Sequence, residues 1–142
     1  MEQRSDEWFK ARLGKVTASN VHKIFVGGAG KTRKDYLMKL VLERLTGERA
    51  EGFTSGAMQW GTETEPLARS TYEALRGEWV TEAGLIDHPT IKDFAASPDG
   101  LVGDSGLIEI KCPNSSTHLD TFEHGTIKKA YKYQMMAQIG RT

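Results

Sequence analysis

The segment from residue 97 to residue 113 restricts the possible folds of this chain more than any other part of the sequence. It consists of a Ser-Pro-Asp-Gly turn, a glycine-punctuated loop at 103–106 and a strand-like run at 107–111. This pattern predicts a hairpin between Phe94 and Lys111 whose turn lies near Gly103 to Gly106. The chain should therefore contain a small sheet, and the hairpin should return Glu109 towards Asp99.

Charged residues occupy alternate positions in the predicted strand 107–111. Side chains two residues apart on a strand share a face, so Glu109 and Lys111 should point the same way, and Ile108 and Ile110 into the core. Nine residues separate Asp99 from Glu109, and the predicted turn near Gly103 to Gly106 lies between them. We therefore expect two carboxylates and one lysine to converge.

Two carboxylates that lie close together repel each other unless a hard divalent cation sits between them. Magnesium prefers oxygen ligands and lowers the pKa of a bound water, which can then attack phosphorus. Lys111 has two possible roles beside such a site: it could orient or deprotonate the water, or it could offset charge on the phosphate. The alternative is that Asp99 makes a turn and that Glu109 and Lys111 form a surface ion pair, because isolated matches to this pattern are common by chance.

Apolar residues at helical spacing predict that helices surround the sheet. A capped helix should follow Ser5, a second should begin at Thr17, and others should span 34–46, 57–76 and about 126–138. Strands are expected at 78–86, 94–97 and 107–111. These elements predict one α/β (α+β) domain over residues 1–142, in which helices flank a small mixed sheet.

Composition excludes several classes of protein. The chain has 142 residues with 38% hydrophobic and 27% charged side chains, as in ordinary globular proteins, and its 19 basic residues balance 19 acidic ones. No apolar run is long enough for a membrane span or a secretory signal, so we expect a cytoplasmic location and no membrane partner. A single cysteine and four scattered histidines make a zinc site unlikely on spacing alone.

Four ordered motifs resemble the lambda exonuclease (YqaJ-type viral recombinase) family of the PD-(D/E)XK nucleases. They are WFKARLGKVTASNVHKI, AMQWGTETEPLARSTYE, AASPDGLVGDSGLIEIKCP and AYKYQ, and they span residues 8 to 134. The resemblance implies a restriction-endonuclease-like core and two Mg²⁺ ions, for which Mn²⁺ can substitute. It also implies 5′→3′ digestion of one strand of duplex DNA, with a 3′ single-stranded tail as the product.

The resemblance also implies roles for individual residues. Asp99, Glu109 and Glu65 would be metal ligands with the main-chain carbonyl of Ile110, Lys111 would be the catalytic lysine, and Gln134 would lie near the attacking water. Arg12, Ser19 and Ser97 match a pocket for the 5′-phosphate of a DNA end. A guanidinium pairs well with phosphate oxygens, and Ser19 is expected in the first turn of a helix, where anions are favoured.

Further expectations concern partners and completeness. The family resemblance implies double-stranded DNA ends as substrate, a single-strand annealing protein as a possible partner, a homotrimer, and a phage or prophage origin in a bacterial host. Family members continue with further strands beyond the position of Thr142, so we expect a C-terminally truncated domain with one open sheet edge. Two alternatives are a PD-(D/E)XK endonuclease or repair nuclease, and a non-catalytic module that binds DNA ends.

Overall fold

The computed structural model describes residues 1–25, 30–50 and 56–141. Along the described residues, a run of short strands lies between two groups of helices. In chain order they are α1 (Asp6–Arg12), β1 (Val16–Thr17), a 3-10 helix (Ala18–Lys23), α2 (Lys31–Thr46), α3 (Gly56–Arg76), β2 (Ile86–Asp87), β3 (Phe94–Ala96), β4 (Gly100–Val102), β5 (Gly106–Ile108), α4 (Ser115–His124) and α5 (Lys129–Arg141). No helix in these ranges combines the length and apolar character that a membrane span requires.

Local chemistry accounts for several helix ends. The Ser5 hydroxyl accepts a hydrogen bond from the Trp8 amide at 3.2 Å and begins α1. Gly47 and Gly77 end α2 and α3 with φ values of 68° and 65°, a left-handed conformation that glycine adopts without strain. The predicted boundaries of α2 and α3 are therefore confirmed to within a few residues.

The chain divides into two compact units. Unit 1 comprises Met1–Gly52, Ala83–Pro98 and Lys129–Thr142, and unit 2 comprises Phe53–Glu82 and Asp99–Lys128. Unit 1 contains a three-stranded mixed sheet in the order β1-β3-β2, with β1 parallel and β2 antiparallel to β3. Helix α5 packs against β3 and the 3-10 helix, and the buried small residues Ala95 and Ala96 of β3 allow this close packing.

Unit 2 consists of α3, the antiparallel β4–β5 hairpin and α4. The hairpin is extended by a single bridge, in which Thr81 and Leu101 exchange backbone hydrogen bonds of 2.9 and 2.8 Å. The predicted apolar side of α3 is present, but Trp60, Leu67 and Leu75 are 54%, 69% and 80% exposed. The described residues of the chain therefore leave this side uncovered.

Five predictions about secondary structure were wrong. The first arm of the hairpin is Gly100–Val102 and not 94–97, because Phe94–Ala96 pairs with the other two strands of unit 1. The strand predicted at 107–111 ends at Ile108. The Ile110 amide would have continued the strand pairing, but it donates to the Asp99 side chain instead of a neighbouring backbone carbonyl. Segment 78–86 is not one strand, since Thr81 pairs with the hairpin of unit 2 and Ile86 pairs with β3 of unit 1. The expected single sheet is therefore two small sheets.

The other two errors concern short elements. The helix expected after Thr17 is a six-residue 3-10 helix, and Thr17 makes no side-chain cap to it. Helix α4 was not predicted, although Asn114 caps it by accepting a hydrogen bond from the Thr117 amide at 3.0 Å. Its large apolar residues are Leu119 and Phe122, which are too few to show the helical periodicity of a buried face. Both side chains are exposed, Phe122 at 87%.

Candidate active site

The β4–β5 hairpin brings Asp99 and Glu109 together, as predicted. Gly100 is paired with Ile108, and the Asp99 amide donates to the Ile108 carbonyl at 3.1 Å. Asp99 precedes one strand and Glu109 follows the other, so both lie at the open end of the hairpin. The strand pairing itself thus sets their proximity.

Asp99 is the most perturbed acid of this site. It is 7% exposed, and one carboxylate oxygen accepts the Ile110 amide at 2.7 Å. Burial raises the pKa of Asp99 to about 8. The negative charges of Glu109 and Glu65 and a hydrogen bond with Glu109 add to this rise, while the hydrogen bond from the Ile110 amide opposes it. A buried carboxyl group with two acidic neighbours thus retains its proton near neutral pH.

Lys111 lies on the same side as Glu109, although the regular strand has ended. Its Nζ lies 3.1 Å from Oε1 of Glu109, whose side chain is only 8% exposed, whereas that of Lys111 is 32% exposed. Glu109 and Lys111 therefore form the ion pair that the surface-pair alternative predicted. The Glu109 side chain, however, is buried and hydrogen-bonded to Asp99. Such an arrangement differs from a solvated surface pair on an edge strand.

Glu65 approaches the site from α3. Its Oε2 accepts a hydrogen bond from Nη2 of Arg69 at 2.9 Å, and the same Nη2 donates to the backbone carbonyl of Asp99 at 3.1 Å. Arg69 is not among the residues predicted from the sequence. The spacing of four residues between Glu65 and Arg69, which places both on one face of a helix, was the signal that could have identified it.

The donor chemistry at this site is that of a hard cation. Asp99, Glu109 and Glu65 supply carboxylate oxygens, which Mg²⁺ prefers. Burial raises the pKa of Asp99 most, and the negative charges of Glu109 and Glu65 add to that rise. Across the described ranges, no group of three or more His, Cys, Asp or Glu side chains has the arrangement of a metal-ion site. Glu65 forms an ion pair with Arg69, and Glu109 forms one with Lys111.

The three residues matched to a 5′-phosphate pocket all lie in unit 1 and are linked through two neighbours. The Arg12 guanidinium lies 4.0 Å from the Trp8 ring centroid, and its Nη2 lies 3.4 Å from Oγ1 of Thr17. That Thr17 hydroxyl lies 3.3 Å from the hydroxyl of Ser19. Burial lowers the pKa of Arg12, whose ordinary value is so high that the side chain stays charged.

Ser97 joins the same group through Trp8. The indole Nε1 donates to the Ser97 hydroxyl at 2.9 Å, and this hydroxyl donates to the Gly84 carbonyl at 3.1 Å. A phosphate oxygen can only accept hydrogen bonds, so Ser97 must release Gly84 before it can donate to a phosphate. For Ser19, the expected contribution of a helix amino terminus is weak, since the 3-10 helix has six residues and a small dipole.

Gln134 and Ile110 were also predicted as site residues. Gln134 lies on α5 in unit 1 and is 6% exposed. Ile110 lies directly after the β4–β5 hairpin, and its amide rather than its carbonyl has the contact to Asp99. The roles assigned to these two residues stay predictions.

A cavity of about 660 Å³ adjoins Lys111 in unit 2. Trp60 of α3 and His118 of α4 lie on its wall, with Pro113 and Asn114 from the segment after Lys111. This volume is within the range of small-molecule sites. The candidate catalytic lysine thus borders a space that is large enough for a nucleotide.

Comparison with solved structures defines the class of the fold. LHK-Exo, an alkaline exonuclease from Laribacter hongkongensis, matches with a TM-score of 0.89 and 54% identity over 97% of this chain and 69% of its own. Its complex with dAMP matches with a TM-score of 0.90 and 53% identity over 96% of this chain and 68% of the other. A phage-related exonuclease from Haemophilus somnus 129PT has the same fold at 22% identity and a TM-score of 0.69, over 89% of this chain and 62% of its own. The chain therefore has a restriction-endonuclease-like fold.

The family follows from the sequence. The model of the YqaJ-like viral recombinase domain matches residues 7–142, and the chain belongs to this family. A search of curated proteins found no match. Family membership and the likeness to LHK-Exo together support an exonuclease role.

Proposed function

We propose that this protein is a magnesium-dependent 5′→3′ exonuclease that digests one strand of duplex DNA from its end and leaves a 3′ single-stranded tail. The observation that carries this proposal is the buried Asp99–Glu109 pair with Lys111 beside it. Membership of the YqaJ-like family and the likeness to LHK-Exo support the exonuclease activity. Direction and product come from the family resemblance.

The residues of unit 2 would divide the chemistry between them. Asp99, Glu109 and Glu65 would hold Mg²⁺, with the Ile110 carbonyl as a further ligand. When bound, the ion would supply an activated water and a positive charge near the phosphate. Lys111, at 3.1 Å from Glu109, would orient or deprotonate that water or offset phosphate charge, and the adjoining cavity would accommodate a nucleotide next to the cleaved bond. Gln134 belongs to unit 1, and its role near the water is what the family resemblance implies.

The residues of unit 1 would select the chain end. Arg12 carries a positive charge and is held against Trp8, and the hydroxyls of Ser19 and Ser97 provide neutral donors. A terminal phosphate carries more negative charge than an internal one, so this set would favour a phosphorylated end. Selection of a 5′-phosphate would enforce the polarity of digestion.

The direct test is digestion of three substrates in a titration of MgCl₂: a 5′-phosphorylated linear duplex, the same duplex with a 5′-hydroxyl, and a closed circle. We expect rapid loss of one strand of the phosphorylated duplex, slower loss with the hydroxyl end, and an intact circle. Cutting of the circle would instead indicate an endonuclease. Binding of DNA ends without hydrolysis at any Mg²⁺ or Mn²⁺ concentration would indicate a non-catalytic module.

Replacement of Arg12 tests the end-binding group. Arg12→Ala should reduce the rate preference for a 5′-phosphate over a 5′-hydroxyl by about 10- to 100-fold, since hydrogen bonds to a charged group contribute about 1.5–3 kcal/mol. Arg49→Ala is the matched control, because this exposed guanidinium also lies 4.0 Å from an aromatic ring, that of Phe9, in the same unit. An undiminished preference in Arg12→Ala would remove Arg12 from the pocket.

Assembly and partners are proposals of the same kind. The family resemblance suggests a homotrimer and cooperation with a single-strand annealing protein. Sedimentation velocity at several protein concentrations measures the first, and co-purification with an annealing protein measures the second. A monomer at all concentrations would contradict the trimer for this chain.

A further inference from the structure

Arg69 connects two parts of unit 2 that supply the candidate metal ligands. One nitrogen, Nη2, donates both to the Glu65 carboxylate at 2.9 Å and to the Asp99 backbone carbonyl at 3.1 Å. The other terminal nitrogen, Nη1, lies 3.7 Å from the exposed carboxylate of Glu82. Arg69 thereby ties α3 to the residue that begins the β4–β5 hairpin.

The contact is held away from solvent. The side chains of Arg69 and Glu65 are 14% and 12% exposed, so their attraction is less screened than that of a surface pair. Nε of Arg69 is also buried, and it has no hydrogen-bond partner among the described residues. Buried donors without a partner are uncommon in native proteins, so this one requires an explanation.

We propose that Arg69 is a positioning residue, which fixes the Glu65 carboxylate beside Asp99 so that both can bind the same divalent cation. This inference rests on the proposed function, because it takes Glu65 and Asp99 as metal ligands. Side chains that orient metal ligands commonly change metal affinity when they are replaced, by about 10- to 100-fold. Arg69 has the contacts of such a side chain, one to Glu65 and one to Asp99.

Arginine is suited to this role by its shape. Its planar guanidinium presents several N–H groups in fixed directions, so it can contact a carboxylate and a carbonyl at once. A lysine at the same position would retain the positive charge but would present a single flexible ammonium group. Arg69→Lys therefore separates the geometric contribution of Arg69 from its charge.

The test measures metal binding directly, without DNA or catalysis. Isothermal calorimetry with MnCl₂ should give a dissociation constant about 10- to 100-fold higher for Arg69→Lys than for the wild type. The rate of DNA digestion at saturating Mn²⁺ should change much less than the metal concentration needed for half of that rate. Arg76→Lys, an exposed position in the last turn of the same helix, is the control and should bind Mn²⁺ like the wild type.

A double replacement tests whether Arg69 acts through Glu65. If it does, Glu65→Gln combined with Arg69→Lys should bind Mn²⁺ no more weakly than Glu65→Gln alone, because the two effects are not independent. Additive losses in the double variant, or an unchanged dissociation constant in Arg69→Lys, would overturn the proposal. A lower unfolding temperature in EDTA with unchanged Mn²⁺ binding would show that Arg69 is only structural, and would also overturn it.

Arg69→Gln is the second variant should Arg69→Lys fail to fold. The glutamine side chain is shorter than that of arginine and cannot place its NH2 group where Nη2 of Arg69 lies, so the positioning role again predicts weaker Mn²⁺ binding. Loss of a positive charge alone predicts the opposite, since the three carboxylates would then attract the ion more strongly. Tighter binding in Arg69→Gln would therefore contradict the proposal. An inactive wild type that still binds Mn²⁺ would reject the proposed function without affecting this test.

Discussion

Replacement of Asp99 by asparagine should reduce DNA digestion by at least about 10³-fold and, at alkaline pH without metal, make the protein more stable. The loss of activity follows from the proposed role of Asp99, since metal-ion stabilisation of the transition state amounts to several kcal/mol. The gain in stability follows from burial, because Asp99 is 7% exposed beside Glu109 and its ionised form is disfavoured. Asparagine has nearly the same shape and carries no charge.

The pH dependence of this gain has a definite sign. The pKa of Asp99 is raised from 3.8 to about 8 in the folded protein, so between these values the folded state binds a proton that the unfolded state has released. Stability from this group is thus fully present below about pH 4 and is lost as the pH rises to about 8. Asp99→Asn cannot lose a proton, and its advantage over the wild type should therefore grow across this range.

Thermal unfolding in EDTA at pH 5 and pH 9 measures the effect. Asp104→Asn is the matched control, because Asp104 is exposed in the turn of the same hairpin. We expect Mg²⁺ to raise the unfolding temperature of the wild type at pH 9 and to have little effect on Asp99→Asn, since ligand binding stabilises only the state that binds. If Asp99→Asn and the wild type responded equally to pH and to Mg²⁺, Asp99 would be neither the titrating group nor a ligand.

Lys111→Ala should slow digestion by about 10²- to 10⁴-fold, the range for a group that transfers or positions a proton. Nζ of Lys111 is 3.1 Å from a Glu109 carboxylate that is nearly buried, so truncation also leaves that carboxylate without this ion pair. The measurement is a gel time course on a 5′-phosphorylated linear duplex with Mg²⁺. Lys92→Ala, which removes an exposed lysine from unit 1, is the control.

A second variant distinguishes the two roles left open for Lys111. Arginine keeps the positive charge but does not lose its proton at ordinary pH, so Lys111→Arg can offset phosphate charge and cannot act as a base. Partial recovery of activity relative to Lys111→Ala would indicate the charge role, and equal loss would indicate proton transfer. Equal rates for Lys111→Ala and the wild type would remove Lys111 from the mechanism.

Local chemistry in the sequence determined much of the framework around the site. The glycine-punctuated loop at 103–106 and the strand-like run after it predict the turn and the second arm of the hairpin, because turns depend on adjacent residues. The first arm, Gly100–Val102, was expected at 94–97. Ser5, Gly47 and Gly77 mark helix ends for the same reason. The alternation of Glu109 and Lys111 was sufficient to place both side chains together.

The sequence by itself thus determined which residue types are adjacent along a turn, a strand or a helix face. Only the tertiary structure decided how deeply Asp99 is buried and that its carboxylate accepts the hydrogen bond of the Ile110 amide. It also decided that Arg69 contacts both Glu65 and the Asp99 carbonyl. It also decided that the apolar side of α3 lies exposed in the described residues. The physical reason is that burial, and the pKa shift that follows from it, depends on residues far apart in the chain, whose packing no local pattern encodes.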